Sequence, residues 1–241
     1  MSSDLHGTAG PSRKRQLIVR LKRRIRWAVG RDLYVKPEVE VPVQRFGKRG
    51  YWTLATTGLN RDTMVWSFGI GKDMSCELEL IERYGLRVLA FDPTPIALEW
   101  VKRQDLPEEF KVFPFGVADY DGLARFAPPR KQGFASYSMV REGTGLHAPV
   151  RRMTTLQREL NLLSPDVVKM DVEGAEYAVV ADMVRSGYRP AQVLVEFHHK
   201  WMGAKATREA IAQLGTVGYR IAFVSRRGVE YTFVWQRSAE G

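Results

Sequence analysis

Cysteine is nearly absent from this chain: Cys76 is the only one in 241 residues. A single thiol excludes an internal disulfide and fits a reducing compartment, so a cytoplasmic protein is expected. Long apolar runs are missing too. No uninterrupted stretch approaches the ~20 residues of a membrane-spanning helix. Nor does the start of the chain carry an apolar stretch followed by a small-residue cleavage site. One acid-free segment is strongly basic: between Arg13 and Arg31 there are nine Lys/Arg and no Asp or Glu. The formal net charge is +10, so nearly all of the excess belongs to that segment and the remainder is almost neutral.

What is present divides the chain in two, a basic segment over 1–32 and a domain over 33–241. Residues 1–12 are rich in Ser, Gly, Pro and Thr and read as disordered. After them, Leu17, Ile18, Leu21, Ile25, Ala28 and Val29 recur near one face at helical spacing. Arg20, Arg23, Arg24 and Arg31 fall mostly on the other side, and Trp27 sits near the end. A basic amphipathic helix over 13–31 suits an anionic membrane surface, which would place the protein peripherally at a membrane. Docking on the domain is the plainer alternative. Nucleic acid comes third, because no basic stripe with interleaved aromatics follows.

The domain begins with an extended lead-in, Leu33 to Arg49, broken by Pro37 and Pro42. Gly50-Tyr51-Trp52 reads as packing, with a place over a cofactor edge as the alternative. An apolar, β-prone run over Met64–Phe68 then ends in two glycines, Gly69 and Gly71, before a helix over Ser75–Tyr84. A strand, a glycine turn and a helix start bring free N–H groups close to a ligand. Further strands are expected over 86–91, 111–115, 167–170 and 192–197, with helices over 155–163 and 207–214 among the connections. Tyr219–Val224 and Glu230–Gln236 form a closing hairpin. Five βα steps finished by an antiparallel hairpin predict a Rossmann-like α/β fold with seven strands, mostly parallel, and helices on both faces. The third glycine of G-x-G-x-x-G would fall at 74, which is Met74. That disfavours a pyrophosphate cradle, and with it a nicotinamide-dependent oxidoreductase, and favours a nucleoside without phosphates.

Charged residues gather where strands end. Asp92 follows the second strand, 21 residues after Gly71, where an acid binds ribose hydroxyls. Thr94 and Pro95 supply a cap for the next helix, which leaves Asp92 free for a ligand. Asp119, close to the end of the third strand, is positioned to meet an adenine amino group, and Asp121-Gly122 to turn the chain. The stretch 126–150 is Pro/Gly/Ser-rich and reads as a surface excursion near the substrate, with Ser136, Tyr137 and Ser138 as polar contacts. Asp171, Glu173 and Glu176 crowd the end of the fourth strand and would repel unless something positive or proton-bearing sat among them. Glu176 reads as structural, at a helix start. His198 ends the fifth strand beside them.

Ser67-Phe68-Gly69-Ile70-Gly71, Phe91-Asp92-Pro93, Gly116-Val117-Ala118-Asp119 and Lys169-Met170-Asp171-Val172-Glu173-Gly174-Ala175-Glu176 resemble the FkbM-type class I S-adenosylmethionine-dependent methyltransferases. The likeness spans roughly 50–236. It implies S-adenosylmethionine as cofactor and O-methylation of a hydroxyl on a sugar, glycan or similar small polar acceptor. It also implies that Gly69 and Gly71 shape the cofactor turn, Asp92 holds the ribose and Asp119 faces adenine. Many relatives place an acid where Ser67 stands, to meet the methionine amino group. Ser67 is expected there without the charge, with Asp73 or another acid compensating.

For the chemistry, His198 is the expected base, because its ordinary pKa lies near neutrality. Asp171 would orient it or take the proton, and Glu173 would bind substrate hydroxyls. No metal is required in this reading. A metal alternative uses Asp171, Glu173, Glu196 and His198 as ligands. A non-catalytic, membrane-associated scaffold that keeps the fold is the alternative of a different class, supported by the missing acid at 67.

Overall fold

The computed structural model describes residues 33–48, 51–127, 138–140 and 145–236, with Ile25 and Trp27 as isolated helical positions. The basic helix expected over 13–31 therefore lies outside the described residues, apart from those two exposed side chains.

A seven-stranded sheet forms the centre. Its strands are β3 (Met64–Phe68), β4 (Arg87–Phe91), β5 (Phe110–Phe113), β10 (Val167–Met170), β11 (Gln192–Glu196), β12 (Tyr219–Val224) and β13 (Glu230–Trp235). Their order is β12-β13-β11-β10-β3-β4-β5. The pairs from β11 through to β5 are parallel, and β13 is antiparallel to both β11 and β12. This is the sheet predicted from the five βα steps and the closing hairpin. From β3 the chain runs outward to β4 and β5, then returns to the other side of β3 as β10. The crevice at the strand tips between β3 and β10 is thus the point where ligands bind in such sheets.

Alternation along the strands assigns each face its own core. Met64, Trp66, Phe68, Leu89, Phe91, Val168, Met170, Val193 and Val195 pack on one side. There they meet α3 (Met153–Glu159), α4 (Glu176–Arg185) and α5 (Ala204–Thr216) through Leu156, Val180 and Leu214. Val65, Val88, Ala90, Val167 and Leu194 face the other way. Their cover is α1 (Ser75–Tyr84) and α2 (Pro95–Val101), through Leu80 and Val101, and the hairpin of β1 (Val43–Phe46) and β2 (Trp52–Ala55). Trp52 is buried in that second core, as a packing residue should be, while Tyr51 is exposed beneath Arg45. The lead-in is anchored earlier: Glu38 N donates to Ile221 O at 2.7 Å and Glu38 Oε2 accepts from Ile221 N at 2.8 Å, which covers the edge of β12.

One expectation needs correction. The excursion over 126–150 is not all irregular. Its described parts belong to a second sheet of β6 (Gly116–Val117), β7 (Gly122–Ala127), β8 (Ser138–Val140) and β9 (Leu146–Arg151), in the order β6-β9-β7-β8. Leu146–Arg151 alternates partly buried or exposed positions with the buried Ala148 and Val150, and Pro149 masks that period in the sequence. Ser136 and Tyr137 lie outside the described residues, and Ser138 begins β8.

Candidate active site

The tip of β3 is forced to be glycine by a backbone crossing. Gly69 has φ +78°, and a Cβ there would stand 1.9 Å from the Asp171 carbonyl oxygen. The same crossing is held by Asp171 N donating to Phe68 O at 3.0 Å and Gly69 N donating to Phe91 O at 2.9 Å. Three strand tips are thereby locked together around a cavity of about 220 Å³. Its walls are the turn from Phe68 to Asp73, the segment Phe91–Thr94, Gly116, Val117 and Phe126, and the segment Asp171–Glu173 with Ala175.

Asp92 reaches this cavity, but it is less free than the sequence suggested. Its Oδ2 accepts from Gly71 N at 2.9 Å. Its Oδ1 accepts from Thr94 N at 2.9 Å and from the Thr94 hydroxyl at 2.6 Å. Thr94 makes no side-chain cap to α2, because its hydroxyl is committed to Asp92. Burial pushes the Asp92 carboxyl up, against the hydrogen bonds from Thr94 and Gly71. The Ile70 backbone also hydrogen-bonds this carboxylate, so about all four of its acceptor sites are engaged within the turn and a ligand hydroxyl would share one of them.

Two expected cofactor residues are placed elsewhere. Asp119 is exposed and does not line the cavity. The chain leaves β6 through Ala118, whose N donates to Arg151 O at 3.0 Å, and turns Asp119 to solvent. Val117 and Phe126 form the wall instead, against Gly116, where a Cβ would meet Val150 Cγ1 at 3.0 Å and Pro93 Cγ at 3.2 Å. Asp121 does more than turn the chain: it accepts from Arg152 N and the Thr155 hydroxyl, both at 2.8 Å, and so fixes the start of α3.

Ser67 faces away from the cavity, because Phe68 and Trp66 take the opposite side of β3. Its hydroxyl donates to Glu77 Oε1 at 2.6 Å, and Lys169 Nζ donates to Ser67 Oγ at 3.2 Å. Lys169 and Glu77 form an ion pair at 3.0 Å with side chains only 7% and 1% exposed, and Trp52 lies 4.9 Å from the ammonium. Burial alone would pull the Lys169 ammonium down. The charges of Glu77 and Asp171, with the hydrogen bond to Glu77, outweigh it and hold the group above its ordinary value. Sequence reasoning missed this pair, yet two signals were present. A lysine stands inside the apolar run Val-Val-Lys-Met, and Glu77 shares a helix face with Cys76, Leu80 and Ile81. Asp73, by contrast, does line the cavity, with its Oδ1 accepting from Ser75 N at 2.9 Å.

The acids after β10 converge on His198. Glu176 is fully buried: its Oε2 accepts from Gly174 N at 2.7 Å, and its Oε1 accepts from His198 N at 2.8 Å and meets His198 Nδ1 at 3.2 Å. The other ring nitrogen, Nε2, stands 3.2 Å from Glu173 Oε2 and 3.8 Å from Asp171 Oδ1. Burial would lower the His198 pKa, but the hydrogen bond and charge of Glu176, with Glu173 and Asp171, raise it to about 9. With no cation bound, the surrounding carboxylates thus favour the charged form of His198 over the free base expected from its ordinary pKa. Asp171 becomes the better placed candidate for that role. Asp171 lines the cavity, and burial pushes its pKa up against the opposing charges of Lys169 and His198. Glu196, the remaining ligand of the metal alternative, pairs with Arg227 at 3.2 Å. Among the described residues, Asp171, Glu173 and His198 alone offer ligand atoms within 4.8 Å of one another.

Known proteins show what the chain is similar to. The methyltransferase FkbM domain matches residues 55–221. Among solved structures, the methyltransferase FkbM from Methylobacillus flagellatus KT is 16% identical with a TM-score of 0.48, covering 76% of this chain and 47% of that one. This chain thus spans about half of that protein's length. The fibrillarin pre-rRNA processing protein of Methanococcus jannaschii is 11% identical with a TM-score of 0.46, covering 84% and 86% of the two chains. Aeropyrum pernix fibrillarin in complex with natively bound S-adenosyl-L-methionine is 11% identical with a TM-score of 0.43, covering 85% of each. No curated protein matches the sequence. The match over 55–221 covers well over half of the chain, and the chain belongs to the FkbM methyltransferase family.

Proposed function

We propose that the chain transfers the methyl group of S-adenosylmethionine to a hydroxyl oxygen of a sugar, glycan or similar small polar acceptor. The observation that carries this reading is the cavity at the β3/β10 switch point, walled by the Gly69–Gly71 turn on one side and by Asp171 and Glu173 on the other. Gly71 N is already held by Asp92, whose Oδ2 takes one ribose hydroxyl. Val117 and Phe126 offer an apolar surface for the adenine. Asp73, two residues after Gly71, also lines the cavity and supplies the charge that Ser67 does not.

The sulfonium is an activated methyl donor, so catalysis is largely alignment of donor and acceptor. In the step itself the acceptor oxygen bonds to the methyl carbon as the S–CH₃ bond breaks, and that electron pair goes to sulfur, giving neutral S-adenosylhomocysteine. The hydroxyl proton passes to the Asp171 carboxylate. A positioned base contributes about 10²–10⁴-fold. Glu173, at the rim, accepts a second substrate hydroxyl. The scaffold alternative drew its support from the missing acid at position 67. That support lapses, because Ser67 faces Glu77 and not the cofactor cavity.

Calorimetry with S-adenosylmethionine and S-adenosylhomocysteine tests the cofactor, with saturable binding expected. No binding at millimolar cofactor would restore the scaffold. Mass spectrometry of the purified protein for a bound acceptor tests the substrate class. The segment 13–31 is proposed to hold the protein at an anionic membrane surface. Among the described residues no helix is long and apolar enough to cross a membrane. Equal flotation on anionic vesicles with and without residues 1–31 would remove that role.

A further inference from the structure

We propose that Asp171, Glu173 and His198 bind one divalent cation of the Mg²⁺/Mn²⁺ class at the rim of the cofactor cavity. This deepens the methyl-transfer reading, on which its purpose rests, but the site is argued from its own geometry. Cis ligands of an octahedral ion with bonds of about 2.1 Å stand about 3 Å apart. The imidazole Nε2 is 3.2 Å from Glu173 Oε2 and 3.8 Å from Asp171 Oδ1, and all three ligand atoms lie within 4.8 Å. Shifts of less than an ångström bring them onto one ion.

Three further observations favour an occupant. The ring is aimed from behind: Nδ1 meets the fully buried Glu176, which is itself fixed by Gly174 N and His198 N. A carboxylate on the far nitrogen is how an imidazole ligand is oriented and made more basic. Next, Asp171 presents its carboxylate to the cavity, and among the described residues no hydrogen-bond donor reaches it; the imidazole at 3.8 Å is too far. Finally, two nearby cations are paired elsewhere: Lys169 with Glu77, and Arg227 with Glu196 and Glu230. Asp171, Glu173 and Glu176 all present oxygens to the one imidazole. Two oxygens and one nitrogen, with no thiolate, suit Mn²⁺ or Mg²⁺. Held there, the ion leaves coordination positions open toward the cavity, where it would bind and polarise the acceptor hydroxyl.

The probe is Mn²⁺, added to chelator-treated full-length protein and followed by calorimetry and pulsed electron paramagnetic resonance. One saturable site is expected, with nitrogen modulation from a bound imidazole. Glu173→Gln and Asp171→Asn should each weaken binding by at least about tenfold, His198→Gln should abolish the nitrogen signal, and the surface control Glu209→Gln should change neither. Thermal melting without metal shows that each variant is folded, and Glu173, at the rim, is the substitution least costly to the fold. No saturable site, or binding unchanged in folded Glu173→Gln and Asp171→Asn, overturns the proposal. S-adenosylhomocysteine is titrated in parallel. Its binding without Mn²⁺ binding defeats the cation alone, whereas Mn²⁺ binding without it defeats the cofactor reading and leaves the cation site standing.

Discussion

Replacing Lys169 by methionine should be among the most destabilising single changes available in this chain. The ammonium neutralises Glu77, whose side chain is 1% exposed and whose Oε2 has no hydrogen-bond partner among the described residues. Lys169→Met leaves that carboxylate buried with only the Ser67 hydroxyl for company. Removing one partner of a buried pair costs about 3–5 kcal/mol, because the other charge is stranded. Native stabilities are only about 5–15 kcal/mol, so the loss is a large fraction of the whole. For a chain of this size it corresponds to a fall of roughly 6–20 °C in Tm. The double variant Lys169→Met/Glu77→Met behaves differently. It exchanges the pair for two unbranched apolar side chains of similar length, and such replacements are often neutral or stabilising. What remains is the Ser67 hydroxyl without its acceptor, about 1 kcal/mol. Urea unfolding of wild type, both single variants and the double variant gives the cycle, with a coupling energy of about 2 kcal/mol or more expected. A Lys169→Met cost below about 1 kcal/mol, or a double variant as unstable as the two singles added, would refute the reasoning.

Three further outcomes follow from the site. Gly69→Ala places a methyl 1.9 Å from the Asp171 carbonyl oxygen at φ +78°, so the β3 and β10 tips must separate; a loss of more than about 3 kcal/mol in urea unfolding is expected, and a well-tolerated alanine would show that the crossing is wrong. Asp92→Asn turns an N–H toward Gly71 N–H or Thr94 N–H, and affinity for S-adenosylhomocysteine should fall about 10–100-fold by calorimetry, from roughly 1–3 kcal/mol of unpaired polar contact. An affinity within twofold of wild type would remove Asp92 from the cofactor site. In chelator, His198 links stability to pH. Its folded pKa is raised, from 6.5 to about 9, so its contribution is complete below 6.5 and is lost as the pH climbs through about 9. At about 1.4 kcal/mol per tenfold in proton affinity, the loss across that window is at most about 3 kcal/mol, and His198→Gln should flatten the slope.

The centre of the sheet was legible because β3, β4, β10 and β11 are buried on both faces and read as apolar runs between turn residues. Met64–Phe68 and the helix Ser75–Tyr84 match the observed elements residue for residue. The glycine turn, the acid after β4 and the acids after β10 were legible too, as residue types that strand tips need. What each of those side chains touches was not. Ser67 and Phe68 are neighbours in sequence, but the pleat sends one to Glu77 and the other to the opposite core. Thr94 reads as a cap and is in fact a donor to Asp92. His198 carries nothing local that marks it as an imidazolium; its pKa is set by Glu173 and Glu176, more than twenty residues away.

By itself, then, the order of residues determined the strands of the central sheet, their sequence of βα steps, the hairpin that closes them and the family they belong to. These depend on local periodicity and on turn chemistry, which a chain carries with it. Only the tertiary structure decided which acids share a corner, which cation is already neutralised and which carboxylate is left facing the cavity. Those are Coulombic and desolvation effects between groups brought together from β3, α1, β10 and β11, and they exist only once the sheet has closed.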